Sequence, residues 1–120
     1  PEKLKSNIMK KNYPILRRSF SSYYNQIAKA LMRNDLVSVN HRLAAFLASY
    51  FDILFAINEI PHPGEKKLMD IVENQCKIKP KNFKENLNNL FTQGNDKILK
   101  NLNIIVDNLD VVLRKENIDI

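Results

Sequence analysis

The sequence predicts an all-α fold, a bundle of about five helices around one long buried helix. Three observations lead there. Apolar residues recur every three or four positions along most of the chain, the period of a helix face. Only 2 of the 120 residues are glycine, so the tight turns of a strand meander have little to build on. The prolines stand at the margins of the periodic stretches, where they punctuate helices. With 44% hydrophobic and 27% charged residues, the composition predicts a single globular domain over 1–120 with a real core.

Residues 1–12 are polar apart from Leu4, Ile8 and Met9, and read as a linker or a short helix. Pro14 suits the first turn of a helix, where its missing N–H costs nothing. From there Leu16, Phe20, Tyr23, Ile27 and Leu31 mark an amphipathic helix over 14–33. Asn34 and Asp35 interrupt it, and Asp35 is placed to cap the next helix. That helix is predicted over 36–60. Its stretch from Leu43 to Ile57 is apolar on nearly every face, which makes it the central element.

Pro61 and Pro63 end the central helix. Pro63 then takes the first position of a third helix, with His62 as its cap, Glu65 in its first turn, and Leu68, Ile71 and Val72 facing inward. Pro80 separates it from a fourth. Asn82 and Glu85 have the spacing of a capping box, Phe83, Leu87, Leu90 and Phe91 form the apolar stripe, and Gly94 sits where a helix-ending glycine belongs. The last helix, over about 96–115, has the broadest stripe: Ile98, Leu102, Ile105, Leu109 and Val112.

One cysteine, Cys76, excludes an internal disulfide and a Cys-based zinc site, and fits a reducing compartment. Ser49 and Asp52 interrupt the apolar run of the central helix, so a buried helix is expected and not a membrane span. The basic start carries no leader-like apolar run, and a cytoplasmic location is expected. The chain opens on Pro1 and not Met, which predicts a piece of a longer protein or a trimmed chain. The formal charge is +6, concentrated at Lys3, Lys5, Lys10, Lys11, Arg17 and Arg18. By charge alone such a face suits solvent, nucleic acid, a nucleotide or an acidic partner. No aromatic–basic interleaving accompanies it, so nucleic acid is not the expected partner.

Two segments carry candidate chemistry. On the central helix Ser38, Arg42, Ala45, Ser49, Asp52, Ala56 and Glu59 alternate in steps of four and three, so all lie on one face. They form a narrow stripe of small and polar groups on an otherwise apolar rod. Asp52 at its centre suits a cleft wall that meets a cationic or hydroxyl group, or else a structural ion pair. The second segment runs from Asn58 to Lys67. Two prolines, Gly64 and a helix start with Lys66 and Lys67 make a rigid corner whose free N–H groups favour an anion. His41 and His62 share no metal-ligand spacing. There is no GxxxxGK[ST], GxGxxG or GxSxG pattern, so no complete catalytic site is expected in this chain.

The residues Phe51-Asp52-Ile53-Leu54-Phe55-Ala56-Ile57-Asn58, followed by His62-Pro63-Gly64-Glu65-Lys66, carry a resemblance. The segment is similar to the helical C-terminal domain of bacterial nucleotidyltransferases of the aminoglycoside (kanamycin) type and their uncharacterised relatives. It covers about a quarter of the chain, with a compatible helix pattern elsewhere. The resemblance implies a separate N-terminal nucleotidyltransferase domain in the same protein, with a Gly-Ser turn and paired Asp residues that hold magnesium and a nucleoside triphosphate. None of that motif is present here, so no cofactor is expected on this chain. The resemblance further implies a small-molecule acceptor bound beside the helical domain, and dimer contacts. Asp52 and Asn58 would line the acceptor cleft, and His62, Glu65 and Lys66 would form the corner facing the nucleotide or the acceptor. The alternative is a helical protein-interaction or dimerisation module without a small-molecule site.

Overall fold

Residues 43–57 are apolar on nearly every face, and the fold is arranged around that fact. In the computed structural model, which describes residues 2–120, the segment belongs to helix α3 (Leu36–Ile57). Phe46, Ile53 and Leu54 are fully buried in it, and Tyr50 is nearly so. Truncating one such side chain to Ala costs about 2–5 kcal/mol. Helices α1 (Glu2–Leu16) and α2 (Tyr23–Met32) pack against α3. Helices α4 (Leu68–Gln75) and α5 (Phe83–Thr92) follow, and α6 (Ile98–Lys115), led in by a short 3-10 turn at Asn95–Lys97, packs against α5 and α2. The described residues contain no strand, and no helix among them is long and apolar enough to cross a membrane.

The all-helical class stands, with six α-helices where the periodicity predicts about five. The difference lies at the start. Residues 2–16 are helical, and the helix expected over 14–33 is two helices. Pro14 lies inside the last turn of α1 and not in the first turn of a new helix. The chain breaks after Leu16 and restarts at Ser22, whose buried side chain accepts from the Asn25 N–H. A serine cap of that kind is worth about 1 kcal/mol, and it overrides an apolar period that runs through the break. Phe20, which that period assigned to the core, is 90% exposed in the connection.

Helix ends use a left-handed residue repeatedly. After α2, Asn34 (φ 57°) lets the Asn34 N–H reach Leu31 O and the Asp35 N–H reach Ala30 O. After α6, Asn117 (φ 58°) does the same for Arg114 O and Leu113 O. Asparagine tolerates this conformation because its short amide bonds locally, which gives the Asn-rich composition a structural use. Asp35 then caps α3, accepting from the Ser38 N–H at 3.2 Å and the Ser38 hydroxyl at 2.8 Å, as its position predicts.

Three other local expectations are corrected. Helix α3 ends at Ile57 and not at 60, because Glu59 turns left-handed (φ 54°) and the Ile60 N–H returns to Phe55 O at 3.0 Å. The third helix begins at Leu68 and not at Pro63. His62 caps nothing, since the residues before Leu68 are irregular and Lys67 (φ 57°) is the residue that precedes the helix. Asn82 is left-handed (φ 56°) and its side chain makes no cap bond, so the capping box with Glu85 does not form. The adjacent Phe83 is buried and stacks on Tyr50 with ring centroids 6.3 Å apart, and that packing sets how the chain enters α5.

Candidate functional site

A cleft of about 700 Å³ opens between α1 and the C-terminal end of α3. Two helix faces make it. Leu4, Ile8 and Lys11 step by four and three along α1, with Lys5 and Asn12 beside them. Opposite, Asp52 and Ala56 stand one turn apart on α3 with Phe55 between, and Glu59 follows just past the helix end. Ile60, Pro61 and His62 close one end. The floor is therefore apolar and its margins are charged. Ala56 leaves room where a larger side chain would fill the space.

Asp52 and His62 meet at this end. His62 Nε2 lies 3.8 Å from Asp52 Oδ1, with both side chains partly exposed. His62 Nδ1 accepts from the Gly64 N–H at 3.1 Å, which leaves the ring proton of the neutral imidazole on Nε2, facing the carboxylate. The ring stands edge-on to Phe55 with centroids 5.2 Å apart. Gly64 takes φ 103°, a conformation that strains any other residue. The two-proline corner thus holds the imidazole between a core aromatic ring and the cleft carboxylate.

The other residues singled out by the sequence lie elsewhere. The Asn58 amide is used within the fold: Nδ2 donates to Leu54 O at 2.8 Å and to Ile78 O at 2.7 Å, and Oδ1 accepts from the Ile78 N–H at 2.9 Å. It fastens the α4–α5 connection to the end of α3 and does not line the cleft. Glu65 and Lys66 are exposed in the segment before α4 and do not line it either. The structure brings together Asp52 and His62 and leaves Asn58, Glu65 and Lys66 apart from them.

The α1 wall was not foreseen as part of a site. Its signal was present, since Leu4, Ile8 and Lys11 already carry a helical step, but two apolar residues per stretch do not distinguish a helix from a linker. A second polar cluster was also unforeseen. On the far side of α1, Tyr13 and Arg17 bond Asp110 of α6, and Arg17 also reaches Asp107 at 2.8 Å and Asn103 Oδ1 at 3.0 Å. Burial first, and then the bond to Asp110, push the Tyr13 hydroxyl up to about 12. These groups satisfy one another, which is the pattern of a structural clasp between helices.

Cys76 is buried, and burial pushes its thiol up, away from the thiolate form that nucleophiles need. Among the described residues no group of three or more His, Cys, Asp or Glu side chains is placed to hold a metal ion. Comparison with known proteins returns no matching family model, no matching curated protein and no matching solved structure.

Proposed function

We propose that this chain is the acceptor-binding helical domain of a nucleotidyltransferase-like protein, inert as a catalyst without its partner domain. The cleft between α1 and α3 is the observation that carries this reading. Asp52 lies on its wall, beside His62 of the fixed corner. Both belong to the segment whose sequence resembles that enzyme type. Phosphoryl transfer needs carboxylate-held metal beside a triphosphate cradle. In this reading the N-terminal domain supplies those groups, with Mg²⁺ and the nucleoside triphosphate, while Asp52 and His62 position the acceptor. The test is nucleotidyl transfer by the intact natural protein and by residues 1–120 alone, with and without Mg²⁺, together with the sequence encoded before Pro1. A Gly-Ser turn with paired Asp residues upstream, and transfer by the intact protein only, are expected. Turnover by the 120-residue chain alone, or an upstream sequence without that motif, overturns the reading.

A second reading, a protein-interaction module, is favoured by one observation. Met32 and Val37, on either side of the α2–α3 turn, are 87% and 81% exposed, and Leu36 between them is partly so. Val37→Asp tests it. A self-associated wild-type chain that becomes monomeric in the variant supports the module, and an unchanged monomeric mass removes it.

A further inference from the structure

We infer that the α1–α3 cleft takes a zwitterion whose amine and acid groups are held apart by an apolar spacer. The inference rests on the reading of this cleft as a ligand site and names the ligand's chemistry. Three observations carry it. The charges on the two walls are opposite in sign: Lys5 and Lys11 stand on α1, and Asp52 and Glu59 on the α3 side. Yet no ion pair crosses the cleft. Lys5, Lys11 and Glu59 take part in none of the ion pairs among the described residues, and Asp52 meets only the His62 imidazole. Between the rows lies apolar surface that includes Phe55 and Ile60.

Packed helix axes lie roughly 8–10 Å apart, so a spacer of several methylene groups spans the rows. A short cation or anion alone satisfies one row and leaves the other unpaired. The third observation concerns Glu59. It occupies the left-handed position that ends α3 (φ 54°), where Asn34 and Asn117 end α2 and α6. A glutamate has no local bond to offset that conformation, which costs an L-residue about 1–2 kcal/mol. Strain of this kind concentrates at functional sites. Here it sets a carboxylate at the lip of the cleft, across from the lysines.

The test uses residues 1–120 and three probes that share one apolar chain: aminooctanoate, octylamine and octanoate. Amide chemical shifts are followed by titration. Aminooctanoate is expected to shift residues 4–12 and 52–62 saturably, and to bind at least about tenfold more tightly than either singly charged probe, a difference of about 1.4 kcal/mol. Lys11→Met removes its advantage over octylamine, and Asp52→Asn removes its advantage over octanoate. Equal affinity for all three probes, binding of none, or shifts confined to other residues overturns the inference. Its failure is separable from that of the domain reading. A zwitterion preference without nucleotidyl transfer by the intact protein sinks only the reading, and transfer without the preference sinks only the inference.

Discussion

The Tyr13 hydroxyl donates to Asp110 Oδ1 at 2.6 Å, joining α1 to α6 across 97 positions of sequence. Asp110 Oδ2 accepts from Arg17 at 3.1 Å, so one buried carboxylate holds both Tyr13 of α1 and Arg17 just past its end. Tyr13→Phe removes a bond to a charged acceptor and leaves the Arg17 pair in place. The expected loss is about 2 kcal/mol of unfolding free energy, read from urea denaturation. Asp110→Ala strips both bonds and leaves the Tyr13 hydroxyl without its acceptor, while Arg17 keeps Asp107 and Asn103, and is expected to cost about 3 kcal/mol.

The same bond has a pH signature. Tyr13 is raised from 10.0 to about 12 in the folded chain, chiefly by burial. The folded state therefore favours the protonated phenol. Its contribution is fully present below pH 10.0 and is lost as pH rises through about 12. Between those values the wild type is expected to lose stability more steeply than Tyr13→Phe. The difference between the two profiles cancels the contribution of every group the two chains share. Parallel profiles would show that neither burial nor the bond to Asp110 holds the phenol in its protonated form.

Asp35 acts in the opposite direction. The Ser38 hydroxyl and N–H, and then Arg33, hold its carboxyl below the ordinary value of 3.8. Its contribution is present above that value and fades as pH falls through the lowered one. Asp35→Ala is expected to lower the melting temperature at neutral pH. The gap to wild type should close as the solution is acidified below 3.8. A gap independent of pH would mean that the carboxylate charge contributes nothing to the cap.

Asn58 separates a structural residue from a binding one. Its amide serves both the N–H and the C=O of Ile78. Asn58→Ala leaves both groups short of a partner in a partly buried place, at an expected cost of about 2 kcal/mol. Asn58→Asp should not rescue it, because a carboxylate cannot donate to the Leu54 and Ile78 oxygens. Probe affinity in the cleft should stay within about twofold, since weakening by tenfold (about 1.4 kcal/mol) would place Asn58 at the ligand.

The sequence made the long apolar elements legible because burial imposes a period on them. α3 and α6 were readable from Leu43–Ile57 and from Ile98, Leu102, Ile105 and Leu109. What stayed hidden depended on single residues against a trend. Ser22 ends an apolar period that continues through it, and Phe83 overrides the cap that Asn82 advertises. In the cleft, Asp52 stood out because an acid among apolar residues needs a reason. Lys5 and Lys11 did not, because a lysine in a polar stretch is ordinary until a wall faces it. Asn58 looked equally chemical in sequence, but its partner, Ile78, lies 20 residues away and is reached only by the folded loop.

Glu59 offers the sharpest separation of stability from binding. Its left-handed backbone is intrinsically costly, and its side chain is exposed, so nothing in the fold uses the carboxylate. Glu59→Asn keeps a residue that tolerates the conformation and matches what ends α2 and α6. It should raise unfolding free energy by about 0.5–1 kcal/mol. Glu59→Gly relieves the same strain but loosens the unfolded chain, so its net gain should be smaller. Glu59→Gln preserves shape and strain and removes only the charge, so its stability should match wild type. If the carboxylate meets the amine of a zwitterion, all three variants should weaken aminooctanoate roughly fivefold, about 1 kcal/mol, and leave octanoate unchanged or tightened. Glu59→Gln decides the matter, because it alone changes charge without changing backbone preference. Wild-type affinity in that variant, with a stabilised Glu59→Asn, would make the glutamate merely a strained helix end.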